Sequence, residues 1–192
     1  MMLWMSIQNI HGLMVINNKP HLHKKAIDYW ETVVSNSDHY LEYGMGSSTI
    51  RASEICLGEV TTVETSPKFY NKIKHLIDDD VNVHCMDWEC RALGYPKQEL
   101  SESDIKDYAY KPFNTDIKYD AVLVDGRFRM ACLMTVFNES KSKIIMLDDS
   151  YRKAYKPLLE IIPPTKRLGN MAIWENNTQI VEWNIEFMRV AK

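Results

Sequence analysis

Leu41-Glu42-Tyr43-Gly44-Met45-Gly46-Ser47-Ser48-Thr49-Ile50 constrains this chain more than any other stretch. It reads as the end of a buried strand, a glycine turn and the first residues of a helix. Gly44 permits a tight turn with positive φ, and Gly46 lets a ligand lie against the backbone. Ser47, Ser48 and Thr49 suit a helix N-cap and first turn, where free N–H groups point into the crevice. Glu42 stands just before the turn. An acid there repels a pyrophosphate and attracts a cation, which shifts the expected ligand from a dinucleotide to S-adenosylmethionine (SAM), with its positive amino group and sulfonium. By itself the motif is also compatible with an ordinary strand-to-helix turn.

The rest of the chain gives that turn a setting. An amphipathic helix is predicted from about His23 to Ser35, with Ala26, Ile27, Trp30, Val33 and Val34 at helical spacing. His21 and His23 at its entry read as a solvated helix start rather than as metal ligands. His39 to Tyr43 is the first strand, and Thr49 to Leu57 a helix stopped at Gly58. Val60 to Val63 is a β-branched second strand ending in Glu64 and Thr65. Glu64 lies 18 positions after Gly46, near the ~20-residue spacing of a carboxylate that takes ribose hydroxyls. Ser66 and Pro67 open a helix to about Leu76. Val81 to Cys85 is a third strand, followed by Asp87 and Trp88, an acid and an aromatic suited to an adenine amino group and ring, although Trp88 serves equally as a core plug.

Residues 91–117 are polar and irregular, with a short helix expected at Ser103 to Tyr108. They read as a substrate lid, or else as a plain insertion. Tyr119 to Val124 has the apolar run of a central parallel strand and ends in Asp125-Gly126-Arg127-Phe128-Arg129. A helix from Met130 to Phe137, a fifth strand from Lys143 to Leu147, Asp148-Asp149 and a helix from Tyr151 to Ile161 follow. Two late strands are expected at Met171 to Trp174 and Thr178 to Val190, joined by a hairpin turn at Asn176-Asn177. Five βα units and an antiparallel pair define an α/β fold.

Composition limits the remaining choices. A chain of 192 residues makes one domain, 1–192, with 1–22 as an N-terminal extension. Hydrophobic residues make up 45% and charged residues 26%, a soluble globular balance. A net charge of −3, with lysines dispersed, argues against nucleic acid. Residues 1–16 are apolar but lack a basic n-region, so neither a secretory signal nor a membrane span is expected, and the segment is available for an oligomer contact. Cys85 and Cys90 do not have zinc-knuckle spacing; free thiols in a reducing cytoplasm are expected.

The acid-x-Gly-x-Gly turn, with Glu64, Asp87 and Asp125 ending the next strands, resembles the class I SAM-dependent methyltransferase superfamily. More narrowly, the glycine stretch together with Val124-Asp125-Gly126-Arg127-Phe128-Arg129-Met130-Ala131-Cys132 and Asp148-Asp149-Ser150-Tyr151-Arg152 resembles a small group of predicted methyltransferases. The resemblance implies a Rossmann-like three-layer sandwich, with a seven-stranded, mostly parallel sheet and a reversed last strand. It implies a cofactor site of Glu42, Gly44, Met45, Gly46, Ser47, Ser48, Glu64, Thr65, Asp87, Trp88 and Asp125. Ser48 stands where a third glycine is common.

The expected catalytic residues are Asp125, Arg127 and Asp148. Asp125 would take a proton from an acceptor hydroxyl. Arg127 and Arg129 would clamp an anionic acceptor, or else pair with Asp148 and Asp149 to order the site. Asp125, Asp148 and Asp149 also resemble the oxygen ligands of metal-dependent catechol-type enzymes, but Asn is usual at the position of Asp149 and the arginines oppose a cation. The expected function is therefore methyl transfer to a hydroxyl or similar nucleophile of a small molecule. The rivals are a SAM-binding protein without transfer and, disfavoured by Glu42, a nicotinamide-dependent oxidoreductase. No Asn-Pro-Pro-aromatic motif and no Pro-Cys nucleophile point to methylation of nucleic-acid bases.

Overall fold

Each parallel strand is short and followed by a chain reversal, the central ones are buried, and together these strands build one sheet. The computed structural model describes residues 18–140, 142–176 and 179–189, apart from the side chains of Ile185 and Arg189. The helices are α1 (Lys24–Val34), α2 (Ser47–Ile55), α3 (Pro67–Ile73), α4 (Glu102–Tyr110), α5 (Arg129–Glu139), α6 (Lys156–Ile161) and α7 (Ile185–Arg189). The strands are β1 (His39–Tyr43), β2 (Glu59–Glu64), β3 (Asn82–Cys85), β4 (Ala121–Val124), β5 (Ile144–Leu147), β6 (Lys166–Leu168) and β7 (Met171–Glu175). Their order across the sheet is β3-β2-β1-β4-β5-β7-β6. β7 runs antiparallel to both neighbours, and the remaining pairings are parallel.

Two apolar layers sandwich this sheet. On one face Trp30 and Ala26 of α1 pack with Tyr40, Val60, Leu123 and Met146. On the other, Leu41, Tyr43, Val122 and Leu147 meet α4 and α5. β4 feeds both layers, so all four of its residues are buried, the pattern of a central parallel strand. Strand order reverses between β1 and β4, which opens a crevice at their carboxyl ends. No described helix is long and apolar enough to cross a membrane.

The last quarter corrects the sequence reading. The hairpin is β6–β7, turning at Gly169 and Asn170. The strand expected at Thr178 to Val190 is not formed by the described residues: 179–184 are irregular and Ile185–Arg189 is helical. The alternation of Ile180, Trp183, Ile185 and Phe187 misled because Ile180 is 84% exposed. Trp183 instead packs sideways, stacked on Tyr110 and donating its indole N–H to that hydroxyl at 2.7 Å. Asn176 has positive φ as expected of a turn, but no strand follows it. The readings made on residues 1–16 and Asn177 lie outside the described residues.

The 91–117 segment carries regular structure. Ser101 caps α4, its hydroxyl accepting the Asp104 N–H while Asp104 accepts the Ser101 N–H, a reciprocal cap that starts a helix in water. Ile105, Tyr108 and Ala109 then turn inward to the core.

Candidate active site

The glycine turn is held by backbone partners on both sides. Gly44 has φ +94° and donates its N–H to the Val63 carbonyl at 2.8 Å. A Cβ on Gly44 would lie 2.6 Å from Cα of Gly126, and one on Gly126 would lie 2.8 Å from N of Gly44. The turns after β1 and β4 therefore touch only because both residues lack side chains. The Gly46 N–H donates to the Thr49 hydroxyl at 2.9 Å, fixing the start of α2.

Glu64 closes the next wall. Its carboxylate accepts the N–H groups of Met45 at 3.1 Å and Ser66 at 2.7 Å. Thr65 places its hydroxyl 3.2 Å from the same carboxylate and 2.9 Å from the Gly94 carbonyl. Burial pushes the Glu64 carboxyl up from its ordinary range, and the two backbone N–H groups pull against that shift.

Asp125, one residue beyond β4, donates its N–H to the Tyr43 carbonyl at 2.9 Å. Its carboxylate pairs with Arg129 at 2.8 Å. Burial raises it to about 7; Arg129 opposes the rise, while Asp148 and Asp149 reinforce it. Arg129 is buried and bound all round, donating to the Gly126 carbonyl at 3.1 Å and the Asp148 carbonyl at 2.7 Å. It also lies 3.5 Å from Asp149, which pairs in turn with Arg152. The alternative in which this arginine orders the site therefore describes Arg129. Arg127 differs: it faces the crevice and lies over the Tyr95 ring at 4.3 Å. Phe128, with φ +51°, turns the chain between them.

These residues surround a cavity of about 800 Å³. Gly44, Met45, Gly46, Ser47, Ser48, Glu64, Thr65, Asp125 and Arg127 all line it, so the structure brings together most of the residues singled out from sequence. Four are placed elsewhere. Glu42 is fully buried behind the turn, accepting the Tyr40 hydroxyl at 3.3 Å and the Ser48 hydroxyl. Burial lifts its carboxyl to about 8, opposed by the Ser48 bond and reinforced by the charge of Asp125. Trp88 packs in the core against Tyr108 and Phe128. Asp87 is exposed and outside the lining. Asp148 is buried beside Arg129, with Oδ1 lacking a hydrogen-bond partner. Among the described residues no three His, Cys, Asp or Glu side chains are grouped to hold a metal. The Asp125–Asp148–Asp149 set is threaded by the Arg129 guanidinium, which opposes a cation there.

The sequence reading missed Lys68, Phe69 and Lys72 of α3, which form another part of the lining with His21, Ser66, Cys90 and Gly126. Residues 91–94 and Tyr108, also in the lining, belong to the 91–117 segment read as a substrate lid or plain insertion. The only signal for Tyr108 was its spacing from Ile105 and Ala109, which marks an inward helix face and no more.

The strand order and the reversed β7 can be set beside solved structures. A methyltransferase-like protein (spo2022) from Silicibacter pomeroyi superposes with a TM-score of 0.74 at 21% identity, over 86% of this chain and 92% of that one. The chain shares the fold of that methyltransferase-like protein, a seven-stranded, mostly parallel sheet with a reversed strand and flanking helices. Two further solved structures match more weakly. CalS10, a SAM-bound amino pentose methyltransferase from Micromonospora echinaspora, matches with a TM-score of 0.43 and 14% identity over 66% of this chain. Streptomyces venezuelae DesVI matches with 0.40 and 14% over 65%. The chain covers 50% and 49% of those two proteins. No protein-family profile matches the chain, and no curated protein matches it in sequence. In this fold the cavity occupies the crevice at the carboxyl ends of β1, β2 and β4, where strand order reverses.

Proposed function

We propose that this chain is a SAM-dependent methyltransferase acting on a hydroxyl or similar nucleophile of a small molecule. The observation that carries this reading is the convergence of two carboxylates, Glu64 and Asp125, on one cavity beside the Gly44–Gly46 turn. The residues fit SAM on physical grounds. A Cβ built on Gly46 meets nothing within 4 Å, so the turn leaves open space along its backbone. Glu64 is held by two N–H groups and retains lone pairs toward the cavity, as a carboxylate accepting ribose hydroxyls must. Gly44, Gly46 and Ser47 would hold the methionine part, and Thr65 would flank the ribose.

SAM, when bound, supplies an electrophilic methyl group on a positive sulfonium. The protein's part is to align a nucleophile with that carbon and to take its proton. Asp125, raised to about 7, is both substantially ionised at neutral pH and basic enough for this role. Arg129 fixes the orientation of that carboxylate. The same ion pair favours a second reading, a SAM-binding protein without transfer, because a paired carboxylate is a weaker base. Free Cys56, Cys85, Cys90 and Cys132 accord with a reducing cytoplasm.

Calorimetry with SAM and S-adenosylhomocysteine tests the cofactor assignment: saturable binding of both is expected, and NADH should not compete. Product analysis with SAM and a panel of small hydroxylated acceptors separates transfer from binding alone. Absence of binding by either ligand overturns the proposal.

A further inference from the structure

The chain between β3 and α4 builds a small hairpin against the cavity. Arg91 donates its N–H to the Tyr95 carbonyl at 2.7 Å, and Lys97 donates its N–H to the Glu89 carbonyl at 2.8 Å. Cys90 and Pro96 face each other as an antiparallel bridge between these bonds, and Glu89 and Lys97 form an ion pair at the open end. Leu93 and Gly94 have φ of +59° and +72°, so the chain reverses in two residues, a turn whose twist suits a hairpin. The unit thus pairs its backbone with itself. Its base is anchored where Cys90 packs on the core and donates its thiol to the Thr65 carbonyl at 3.3 Å. At the tip Arg91, Ala92 and Leu93 are exposed, although all three line the cavity.

A hydrogen bond and a ring contact tie this tip to the rest of the molecule. The Thr65 hydroxyl donates to the Gly94 carbonyl at 2.9 Å, and the Arg127 guanidinium lies over the Tyr95 ring at 4.3 Å. Gly94 rests on Glu64: a Cβ built on it would lie 3.5 Å from Oε1 of that carboxylate and 2.6 Å from the Thr65 hydroxyl. Both ties release without stranding a buried group. A hydroxyl has one proton, and the Thr65 hydroxyl also lies 3.2 Å from Oε1 of Glu64, so it finds a second acceptor when Gly94 leaves. Arg127 and Tyr95 are half-buried and already meet water. An element paired within itself and held to its neighbours by a few partly exposed contacts opens as a unit, ahead of the core.

We infer that the 89–97 hairpin is a gate over the nucleoside side of the cavity, swinging on its Cys90 base, with the Arg127–Tyr95 stack as its latch. This rests on the methyltransferase reading, in which Glu64 takes the ribose hydroxyls beneath Gly94. Part of the segment expected to cover the acceptor thus covers the cofactor instead. Tyr95 is outside the cavity lining, so it acts on a ligand only through the gate. The latch is made of protein groups alone and weighs equally on a filled and an empty cavity. Loosening it therefore speeds entry and exit together and leaves the affinity in place, because a group that does not distinguish the two states cannot shift the balance between them.

The test is surface plasmon resonance of S-adenosylhomocysteine over immobilised protein, which reads both rate constants. Tyr95→Ala should raise association and dissociation together by about three- to tenfold, the weight of one cation–π contact, with Kd held within about twofold. Tyr95→Phe keeps the ring and should behave as wild type. Hydrogen exchange of the unloaded protein gives a second readout. The Ser66 N–H is bonded at 2.7 Å to the same Oε1 of Glu64 on which Gly94 rests. It should exchange faster in Tyr95→Ala and at the wild-type rate in Tyr95→Phe. A fixed wall gives a different pattern: dissociation quickens alone and Kd weakens, with association unmoved. That pattern overturns the gate, as do wild-type rates in Tyr95→Ala or unchanged Ser66 exchange. If S-adenosylhomocysteine does not bind wild-type protein, the cofactor reading fails instead. Ser66 exchange then still shows whether the hairpin opens against a Tyr95 latch.

Discussion

Glu42 and Glu64 are acids on adjacent parallel strands and point to the same face of the sheet. The β1–β2 register sets Glu42 opposite Thr62, so Glu64 lies two residues farther along, about 7 Å. That step separates two kinds of carboxyl. Inside the sheet Glu42 meets only the hydroxyls of Tyr40 and Ser48, and burial lifts it to about 8. At the strand tip Glu64 meets two backbone N–H groups, which favour its ionised form, and it borders the cavity. An acid one rung inside the sheet meets only hydroxyls and pins the turn; an acid at the tip is gripped by backbone N–H groups at the border of the cavity. Asp125, just beyond β4, belongs with Glu64. Of the three, only Glu64 and Asp125 border the cavity, so under the proposed function the attraction for a positive ligand that the sequence ascribed to Glu42 falls to them.

The hardest blow to that contrast is Asp125→Asn. Methyl transfer should fall by about 10²–10⁴-fold, the usual contribution of a general base, with S-adenosylhomocysteine affinity reduced far less. The wild-type rate should rise with pH through about 7 as Asp125 ionises, and the variant should lose that limb. Removing one partner of a buried ion pair costs about 3–5 kcal/mol, although Arg129 keeps the Gly126 and Asp148 carbonyls, so thermal melting must accompany the rates. A variant that retains wild-type turnover would remove Asp125 from the chemistry.

Glu64→Gln is the next test. Losing a charged acceptor for ligand hydroxyls should weaken S-adenosylhomocysteine by about 10–100-fold, read by calorimetry. Gln has one accepting oxygen where Glu64 uses both for N–H groups, so one buried N–H loses its acceptor and stability should fall by about 1–3 kcal/mol alongside the weaker binding. Unchanged affinity would show that the strand-tip carboxyl does not touch the nucleoside.

What the sequence disclosed follows the same division. β1, its turn and β2 were legible because local chemistry determines them: β-branched runs, a glycine at positive φ, and a Ser-Pro helix start at Ser66 and Pro67. Glu42 was misjudged because its setting depends on Tyr40 and on Trp30, whose indole N–H donates to Tyr40 from α1 at 2.9 Å. Nothing in the motif itself announces that network. β6 was missed because three residues, Lys-Arg-Leu, look like a loop; charged residues on a short edge strand are how sheets avoid pairing with another chain. Tyr108 escaped notice for a related reason. Its neighbours Gly126, Trp88 and Phe128 are distant in the chain, and only the packed fold shows that its hydroxyl lacks a partner.

Glu42→Gln has the smallest expected effect and sharpens the comparison most. The amide mimics the protonated acid, so S-adenosylhomocysteine affinity should stay within about twofold of wild type. The pH dependence of stability should change. Glu42 has an ordinary value of 4.5 and about 8 in the fold. Between those values the folded chain holds a proton that the unfolded chain has released. The contribution of Glu42 is therefore complete below about 4.5, declines as pH rises toward about 8, and is flat beyond, with a slope of at most about 1.4 kcal/mol per pH unit. The glutamine variant lacks that decline, so its stability relative to wild type should grow from acid to mildly basic pH and then level off. Urea unfolding at several pH values reads this directly. Parallel curves for the two proteins would mean that Glu42 is ionised in the fold, and a tenfold loss of ligand affinity would mean that it reaches the cavity; either result would erase the distinction between the acid inside the sheet and the acids at its edge.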